Sequence, residues 1–274
     1  MISFFRKIRQ KLLSHLPAGK AGNQVTRYLV YALGEILLVT IGILIALQFN
    51  TWKEERRNQV SEQTFYQTIL DDLENDQKKL EQLSEFYESR IDNLTWLLAH
   101  VRNPSLGVSP GEFGIHTEPL YYNESAISFD ATYEAAKSGG AFENFSNKEL
   151  LKKLVEYYSN FKQIDDILTS SLRFLESSFE PLMAPVPNDF LNSATSGQVI
   201  TSEGNKGFYS LLDSVPDQRK LASQKELDGF LQKTEFESYL IGDLGRSFNM
   251  TNELKLRSAR IKSLQEEIKS FIHD

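Results

Sequence analysis

The chain has 274 residues, with 30 Lys and Arg against 37 Asp and Glu, and it contains no cysteine. Without cysteine it has no disulfide, no thiolate metal site and no thiol nucleophile. Residues 1–34 hold six of the basic residues and no acidic one, which leaves 24 basic residues against 37 acidic ones in the remainder. This acidic remainder argues against a nucleic-acid-binding surface, so we expect no nucleic-acid partner.

Residues 28–50 form an apolar run in which Glu35 is the one Asp, Glu, Lys, Arg or His residue. A helix needs about 20 apolar residues to cross a hydrocarbon core about 30 Å thick. No small-x-small cleavage motif follows the run, so the sequence predicts an uncleaved transmembrane helix rather than a signal peptide. The basic residues before the run, against a mixed 53–57 after it, predict a cytoplasmic N-terminus and a periplasmic body at a bacterial inner membrane.

Residues 1–27 are predicted to form a basic cytoplasmic head. Within it, residues 3–13 place apolar and cationic side chains near different faces of a helix. Two interpretations stay open for this stretch. It is either a short amphipathic helix on an anionic membrane surface, or a solvated basic tail that only enforces the topology.

One face of the predicted span carries candidate contact residues. Glu35, Gly42 and Phe49 are spaced by seven residues, and Gly42 and Ala46 form a small-xxx-small pair, so together they define a candidate helix–helix face. An ionisable group inside a bilayer costs a few kcal/mol unless it is protonated, paired or near the interface. Two hypotheses follow for Glu35. It meets a membrane partner or a proton-linked site, or it lies near the bilayer edge and reaches the cytoplasmic headgroups.

The pattern of residues 51–274 predicts an all-α, extracytoplasmic, antiparallel bundle of three to four helices with long loops. Long helices are expected over about 52–101, 147–179 and 224–272. In the first of them apolar residues follow a heptad-like spacing, which Asp76 and Arg90 interrupt. A homomeric coiled coil and packing within a bundle both explain such a seam, and we favour the bundle.

Local signals add detail to the last two long helices. Capping boxes at 146–149 and 223–226 are predicted to open them, and Pro181 to close the first of the two. Gly242 and Gly245 predict a kink, a close helix crossing or a break. The predicted apolar positions of the last helix are Leu227, Leu231, Ile241, Leu244, Phe248, Ile261, Leu264 and Ile268. A short extended piece is predicted at 198–201, inside a loop over 181–206.

A candidate loop motif follows the first long helix. Residues 103–128, rich in Pro and Gly, predict a long irregular connection, and 129–140 predict a short helix that its glycines end. Long loops are often functional, and the candidate motif residues here are Thr132, Tyr133, Lys137, Ser138 and Gly140. The motif lacks the spacing of a Walker phosphate loop. Whether the 103–145 loops bind a small-molecule ligand is open.

The sequence carries no recognisable catalytic constellation. Its four histidines are scattered, and no HExxH, GxSxG, GxGxxG or EF-hand pattern appears. The acids at positions 71, 72, 74 and 76 lie on successive helical faces and predict a solvated surface. We therefore expect no enzyme, no catalytic residue, no metal site and no cofactor.

The span and the residues after it carry the pattern Tyr31-Ala32-x-Gly34-Glu35-Ile36-x-Leu38-Val39-x-Ile41-Gly42-Ile43-Leu44-Ile45-Ala46-Leu47-Gln48-x-Asn50-x-Trp52-x-Glu54-x-Arg56. A Phe-Phe-Arg-Lys-Ile-Arg head accompanies it, as do Thr132-Tyr133-Glu134-x-x-Lys137-Ser138-x-Gly140 and a Glu149-Leu150 that leads to Tyr157-Tyr158. In these residues the chain resembles an uncharacterised bacterial family, a domain of unknown function in single-pass membrane proteins. Phe49 departs from the family pattern, which has Asn there. The resemblance implies a membrane anchor and brings no activity, substrate or cofactor.

These observations predict a membrane-anchored helical scaffold or adaptor that binds another envelope protein or itself. The expected partners are thus the membrane and a protein or a second copy of the chain. The alternative is a ligand-sensing or accessory subunit of a membrane complex, coupled to its partner through Glu35.

Overall fold

The computed structural model describes residues 24–124, 128–186, 210–215 and 224–273. Throughout these residues the regular secondary structure is helical, which confirms the predicted all-α class. Most of the predicted head, the predicted extended piece at 198–201 and the start of the second predicted capping box lie outside the described residues.

The described helices are α1 (Gln24–Arg102), α2 (Pro110–Thr117), α3 (Ala131–Ser138), α4 (Lys148–Ser159), α5 (Phe161–Phe174), α6 (Glu180–Met183), α7 (Gln224–Leu231) and α8 (Thr234–His273). Short 3-10 turns lie at Pro104–Leu106, Glu118–Tyr121 and Ala141–Asn144, and a π-helical turn, Leu175–Phe179, joins α5 to α6. One helical turn lies at 210–213. The chain divides into two compact units, Met1–Asn58 and Gln59–Asp274.

The first unit is described over residues 24–58, all of them in α1. From Ala32 onward this helix is long and apolar enough to cross a membrane, with an 18-residue window of mean hydropathy 2.2 in which no residue is buried. The Thr40 and Thr51 hydroxyls donate to the carbonyl oxygens of Ile36 and Leu47, one turn earlier. These two hydroxyls are thus satisfied within the helix, and the apolar side chains are exposed.

The second unit has a core in two clusters, both of which include the heptad positions of α1. The first cluster joins α1 to α4, α5 and the C-terminal half of α8, with Tyr66, Leu73, Leu154 and Ile261 among its least exposed members. The second joins the end of α1 to α2, the π turn, α7 and the start of α8, with Leu94, Leu97, Phe113, Phe179 and Phe236 at its centre. The seam of α1 therefore packs within the unit, as the bundle interpretation expects.

The connection after α1 is more regular than its Pro and Gly content suggests. Ser109 opens α2 with a capping box, in which its hydroxyl accepts from the Glu112 amide and the Glu112 carboxylate accepts from the Ser109 amide. Pro110 occupies the first turn, where its missing N–H costs nothing. The predicted irregular loop over 103–128 is therefore wrong for residues 110–121, which are helical.

The second predicted long helix, 147–179, is divided. It is interrupted at Asn160, between α4 and α5, and ends later than Pro181. In the π turn the Glu180 amide donates to the Leu175 carbonyl oxygen, five residues back. The chain then restarts as α6 with Pro181 in the first turn, a position that proline tolerates. Pro181 thus opens a helix rather than closing one.

The last predicted helix is also divided, between α7 and α8, before either glycine. At Gly242 a side-chain Cβ would lie 2.8 Å from the Phe174 Cζ atom, so this glycine marks a close helix crossing. At Gly245 the same atom would meet nothing within 4 Å. Ile241 and Phe248 lie in α8 as predicted but do not belong to its buried face, since they are 46% and 58% exposed.

Candidate functional site

The candidate span face lies in the first unit. Each helical residue turns the chain by about 100°, so Glu35, Gly42, Ala46 and Phe49 share one side of α1. All four are exposed. A Cβ at Gly42 would meet nothing within 4 Å. The Glu35 carboxyl has no hydrogen-bond or ion-pair partner among the described residues. This face combines a smooth surface for close helix approach with one group that can donate or accept a hydrogen bond.

The candidate loop motif, in the second unit, is occupied mainly by folding contacts. The buried Tyr133 ring stacks on Tyr158 with 4.5 Å between centroids. Lys137 Nζ donates to the Glu134 carboxylate at 3.0 Å, and this bond raises the Lys137 pKa. Gly140 has φ of +70°, a conformation that other residues rarely adopt.

Ser138 is exposed and Thr132 half-buried, and the structure gives neither a distinct role. The motif therefore ends a helix and anchors it to α4 through Tyr133. A ligand-binding role for the motif stays a prediction.

Three buried ionisable residues of α1 were not predicted as site residues. Glu62, Asp76 and Arg90 are 1%, 2% and 5% exposed, and they follow each other at intervals of fourteen residues, two heptads. Since buried charges are costly unless they are paired and hydrogen-bonded, each must have partners in the core. The prediction that Asp76 belongs to a solvated surface is wrong.

Glu62 holds the start of α4. Its Oε2 atom accepts from the Ser146 amide and hydroxyl, both at 2.8 Å, and its Oε1 atom accepts from the Asn147 amide at 3.2 Å. The Asn147 side chain accepts from the Leu150 amide and is the N-cap. The predicted capping box with Ser146 as its cap is therefore wrong, because Glu62 already engages the Ser146 hydroxyl.

Asp76 joins three segments of the second unit. It accepts from the Tyr157 hydroxyl at 2.5 Å and from the Phe129 amide at 2.7 Å, and it lies 3.8 Å from an Nη atom of Arg257. Burial raises the Tyr157 pKa far above its usual value, so the hydroxyl stays a donor. The Arg257 guanidinium stacks on the Tyr157 ring at 3.8 Å. Asp76 thus fixes three segments against α1: the residues just before α3, helix α4 and helix α8.

Arg90, like Asp76, is a buried charged residue of α1 that joins several segments of the second unit. Its Nε and Nη2 atoms donate to the two Asp243 oxygens at 3.1 and 2.7 Å, and its Nη atoms also donate to the carbonyl oxygens of Pro119, Leu120 and Tyr122. Burial is the largest single effect and lowers the Arg90 pKa, but the Asp243 carboxylate together with Tyr239 and Tyr87 raises it, and the net change is upward. The guanidinium therefore stays charged and ties the turn after α2 to both long helices.

The two ion pairs fix how α1 and α8 align. Each helix carries Asp followed by Arg fourteen residues later, Asp76 and Arg90 on α1 and Asp243 and Arg257 on α8. Antiparallel alignment places each Asp against an Arg, as observed. A parallel alignment would oppose like charges, and a slip of one heptad would leave all four without partners. Equal spacing of charges at core positions of both helices was the signal that sequence reasoning missed.

An aromatic stack joins the end of α1 to α2. The Trp96 ring lies between His100 and His116, at 3.7 and 3.8 Å between centroids. His116 Nδ1 is 2.8 Å from the Asn93 side-chain oxygen. Burial lowers the His116 pKa, and the nearby His100 lowers it further, whereas Glu112 acts in the opposite direction.

In the described part of the chain, no group of three or more His, Asp or Glu side chains could hold a metal ion. Residues 35–100 match the profile of a family described as "Family of unknown function (DUF6090)". No curated protein and no solved structure matches the chain. The family match bears out a resemblance to a family of unknown function, and it covers Glu35 and the three buried residues of α1. It carries no statement about a membrane or an activity, and the 132–158 resemblance lies outside it.

Proposed function

We propose that this chain is a membrane-anchored helical scaffold or adaptor that binds another envelope protein or a second copy of itself. Residues 28–50 are the anchor, and the unit Gln59–Asp274 is the binding body. The observation that carries the proposal is the apolar surface of α1 in the first unit, where Leu37, Ile45 and Phe49 are 59%, 65% and 61% exposed.

Such a surface is unfavourable in water. Each Å² of apolar surface in water costs about 25 cal/mol, and soluble monomers rarely expose contiguous apolar patches larger than a few hundred Å². A hydrocarbon layer removes this cost over the full length of the run. The excess of basic residues before the span supports a cytoplasmic position for that segment and a periplasmic position for the body.

The second unit supports the binding role in a different way. Its two buried ion pairs define the alignment of its long helices, so it presents fixed surfaces to a partner. Glu35 supports the alternative, an accessory subunit of a membrane complex, because its carboxyl is exposed and lacks a partner in the described residues. A carboxyl within a span is most stable when a second helix supplies that partner.

The test is photo-crosslinking in cells, with the crosslinking residue placed at Leu38, Gly42 or Ile45, on the side of α1 that carries the candidate face. Leu44 and Leu47, on the opposite side, are the matched control positions. A discrete adduct from the first set and none from the second supports a specific partner face. The size of the adduct separates a second copy from another protein.

A Glu35→Gln variant separates the two functions. If the chain is an accessory subunit coupled through Glu35, the adduct at Gly42 is lost or strongly reduced. If the chain is a scaffold whose span contacts its partner without Glu35, the adduct pattern is unchanged. Uniform or absent crosslinking on both sides would reduce the span to an anchor and move the binding function to the second unit.

A further inference from the structure

A polar cleft lies along the contact between α5 and α8 in the second unit. One part of it has a volume of about 750 Å³, and the adjoining part about 460 Å³; the two share Asp166, Ser170 and Arg246. The smaller part is lined by polar and charged side chains and one aromatic ring, which include Thr169, Ser170, Arg173, Phe174, Ser177 and Arg246.

The Arg246 guanidinium is held in place within this cleft. Its Cζ atom lies 3.9 Å above the centre of the Phe174 ring, and its Nη1 atom donates to the Gly242 carbonyl oxygen at 2.9 Å. Phe174 in turn stacks on Tyr239 with 5.0 Å between centroids. The missing side chain of Gly242 lets the Phe174 ring come this close to α8. The guanidinium is therefore oriented without the help of a carboxylate.

The positive charge in the smaller part of the cleft is not neutralised. Arg246 Nε is buried and has no hydrogen-bond partner, and neither Arg246 nor Arg173 forms an ion pair with any of the described residues. Asp166, the acidic residue of this part, pairs with Lys162 at 3.0 Å. An oriented guanidinium beside a second guanidinium and hydroxyls is the donor set that binds carboxylates and phosphates, with the Arg246 Nη atoms as its donors.

We propose that this cleft binds an oxyanion-bearing small ligand, a carboxylate or a phosphate, between Arg246 and Arg173. Arg246 supplies the oriented donors, Arg173 supplies a second charge, and the hydroxyls of Thr169, Ser170 and Ser177 complete the coordination. The proposal goes beyond the anchoring and scaffold roles and does not depend on them.

The test is calorimetric titration of the full chain in detergent with inorganic phosphate and, separately, with succinate. Potassium chloride at matched ionic strength is the blank. Saturable binding of either probe at millimolar concentration is the expected result, and the probe that binds identifies phosphate or carboxylate as the ligand chemistry. Because a hydrogen bond to a charged group contributes about 1.5–3 kcal/mol, the R246Q variant is expected to bind about 10- to 100-fold more weakly.

Three further variants distinguish binding in the cleft from a general effect of charge or of misfolding. R173Q changes an exposed side chain, so it weakens binding without disturbing the core. R246K retains the charge but not the fork of donors, and it binds more weakly than the wild type. R260Q removes another exposed charge of α8 outside the cleft and binds as the wild type does. Absence of saturable binding to the wild type, or binding by R173Q and R246Q as tight as that of the wild type, would overturn the proposal.

Discussion

At the scale of single residues, Arg90 shows why buried charge is retained in this protein. Its side chain makes five hydrogen bonds, two to Asp243 and three to backbone carbonyl oxygens of the turn after α2. Tyr239 also donates to Asp243, at 2.8 Å. A buried ion pair contributes little to stability relative to apolar side chains of similar size, but removal of one partner leaves the other charge unpaired.

We predict that Asp243→Asn lowers the free energy of unfolding by about 3–5 kcal/mol, because the Arg90 charge stays buried without its carboxylate. The swapped double variant R90D/D243R does not recover this loss, since an Asp at position 90 cannot donate to the three carbonyl oxygens. The measurement is urea denaturation followed by circular dichroism. Lys255→Gln is the control, because it breaks the exposed pair between Lys255 and Glu88 on the same two helices and leaves stability close to that of the wild type. Full recovery in the swapped variant would show that the pair acts through charge alone.

A second prediction concerns the stack at Trp96. The His116 pKa is lowered from 6.5 in the folded protein, so below that pH the unfolded chain binds more protons at this site than the folded one. Its contribution to stability is therefore present above about pH 6.5 and is lost as the pH falls toward the lowered pKa. We predict that His116→Gln reduces the fall in unfolding free energy between about pH 7 and pH 5. Denaturation at a series of pH values measures it.

His273→Gln is the matched control for this series, because His273 is exposed at the end of α8, away from the stack. It is expected to follow the wild type. An H116Q variant whose stability falls with pH as steeply as that of the wild type would show that His116 does not contribute to the pH dependence.

The sequence shows which charged residues interrupt the heptad seam of α1, but it does not show which residues pair with them. Asp76 and Arg90 are visible as charges that interrupt a heptad seam, yet their partners are 181 and 153 residues away along the chain. Heptad spacing describes one helix and contains no information about which other helix it meets. The equal fourteen-residue spacing on α8 becomes meaningful only once α8 is known to lie antiparallel to α1.

At the scale of elements, the two glycines of α8 differ in what surrounds them. Gly242 is packed against another helix, whereas Gly245 is not, so only helix propensity matters at Gly245. A Cβ at Gly242 would lie 2.8 Å from Phe174 Cζ, and that ring contacts Tyr239 and Arg246, so it can move away only by giving up those contacts. A Cβ at Gly245 would be free of contacts. A Gly→Ala substitution is thus expected to lower stability at position 242 and to raise it at position 245.

We predict that Gly242→Ala destabilises the protein by about 1–3 kcal/mol, as overpacking does, whereas Gly245→Ala raises stability by up to about 1 kcal/mol through helix propensity. Thermal unfolding of the two variants beside the wild type measures both effects. Equal effects of the two substitutions would contradict the close crossing of Phe174 and α8.

Element boundaries were predictable where local chemistry decides them and were missed elsewhere. The apolar run and the heptad seam predict a helix that ends at about residue 101, and α1 ends at Arg102. The Gly139-Gly140 pair correctly predicts the end of α3. The predicted start at about 147 agrees with α4, which begins at Lys148, although the N-cap is Asn147 because Glu62 engages Ser146. The start of α6 was missed because the π turn determines it, and that turn is a feature of the folded structure rather than of the local sequence.

At the scale of the whole molecule, the two units have opposite kinds of surface. The described part of the first unit exposes apolar side chains and has no core, whereas the second unit buries two apolar clusters and carries its charged side chains mainly outside. Composition and hydropathy suffice to predict an apolar N-terminal helix that is followed by other helices. The α5–α8 cleft was not predictable, since it depends on the close approach of Phe174 to Gly242.

The most direct test of the membrane anchor and its orientation is a measurement of cysteine accessibility in intact cells. The chain has no cysteine, so single variants such as Ser3→Cys, before the span, and Ser138→Cys, exposed in the second unit, report one position each. A membrane-impermeant maleimide is applied before and after permeabilisation of the inner membrane. We predict that the chain sediments with the membrane, that Cys at position 138 reacts before permeabilisation, and that Cys at position 3 reacts only afterwards. A chain recovered in the soluble fraction, or the reverse order of labelling, would contradict the anchor and its orientation.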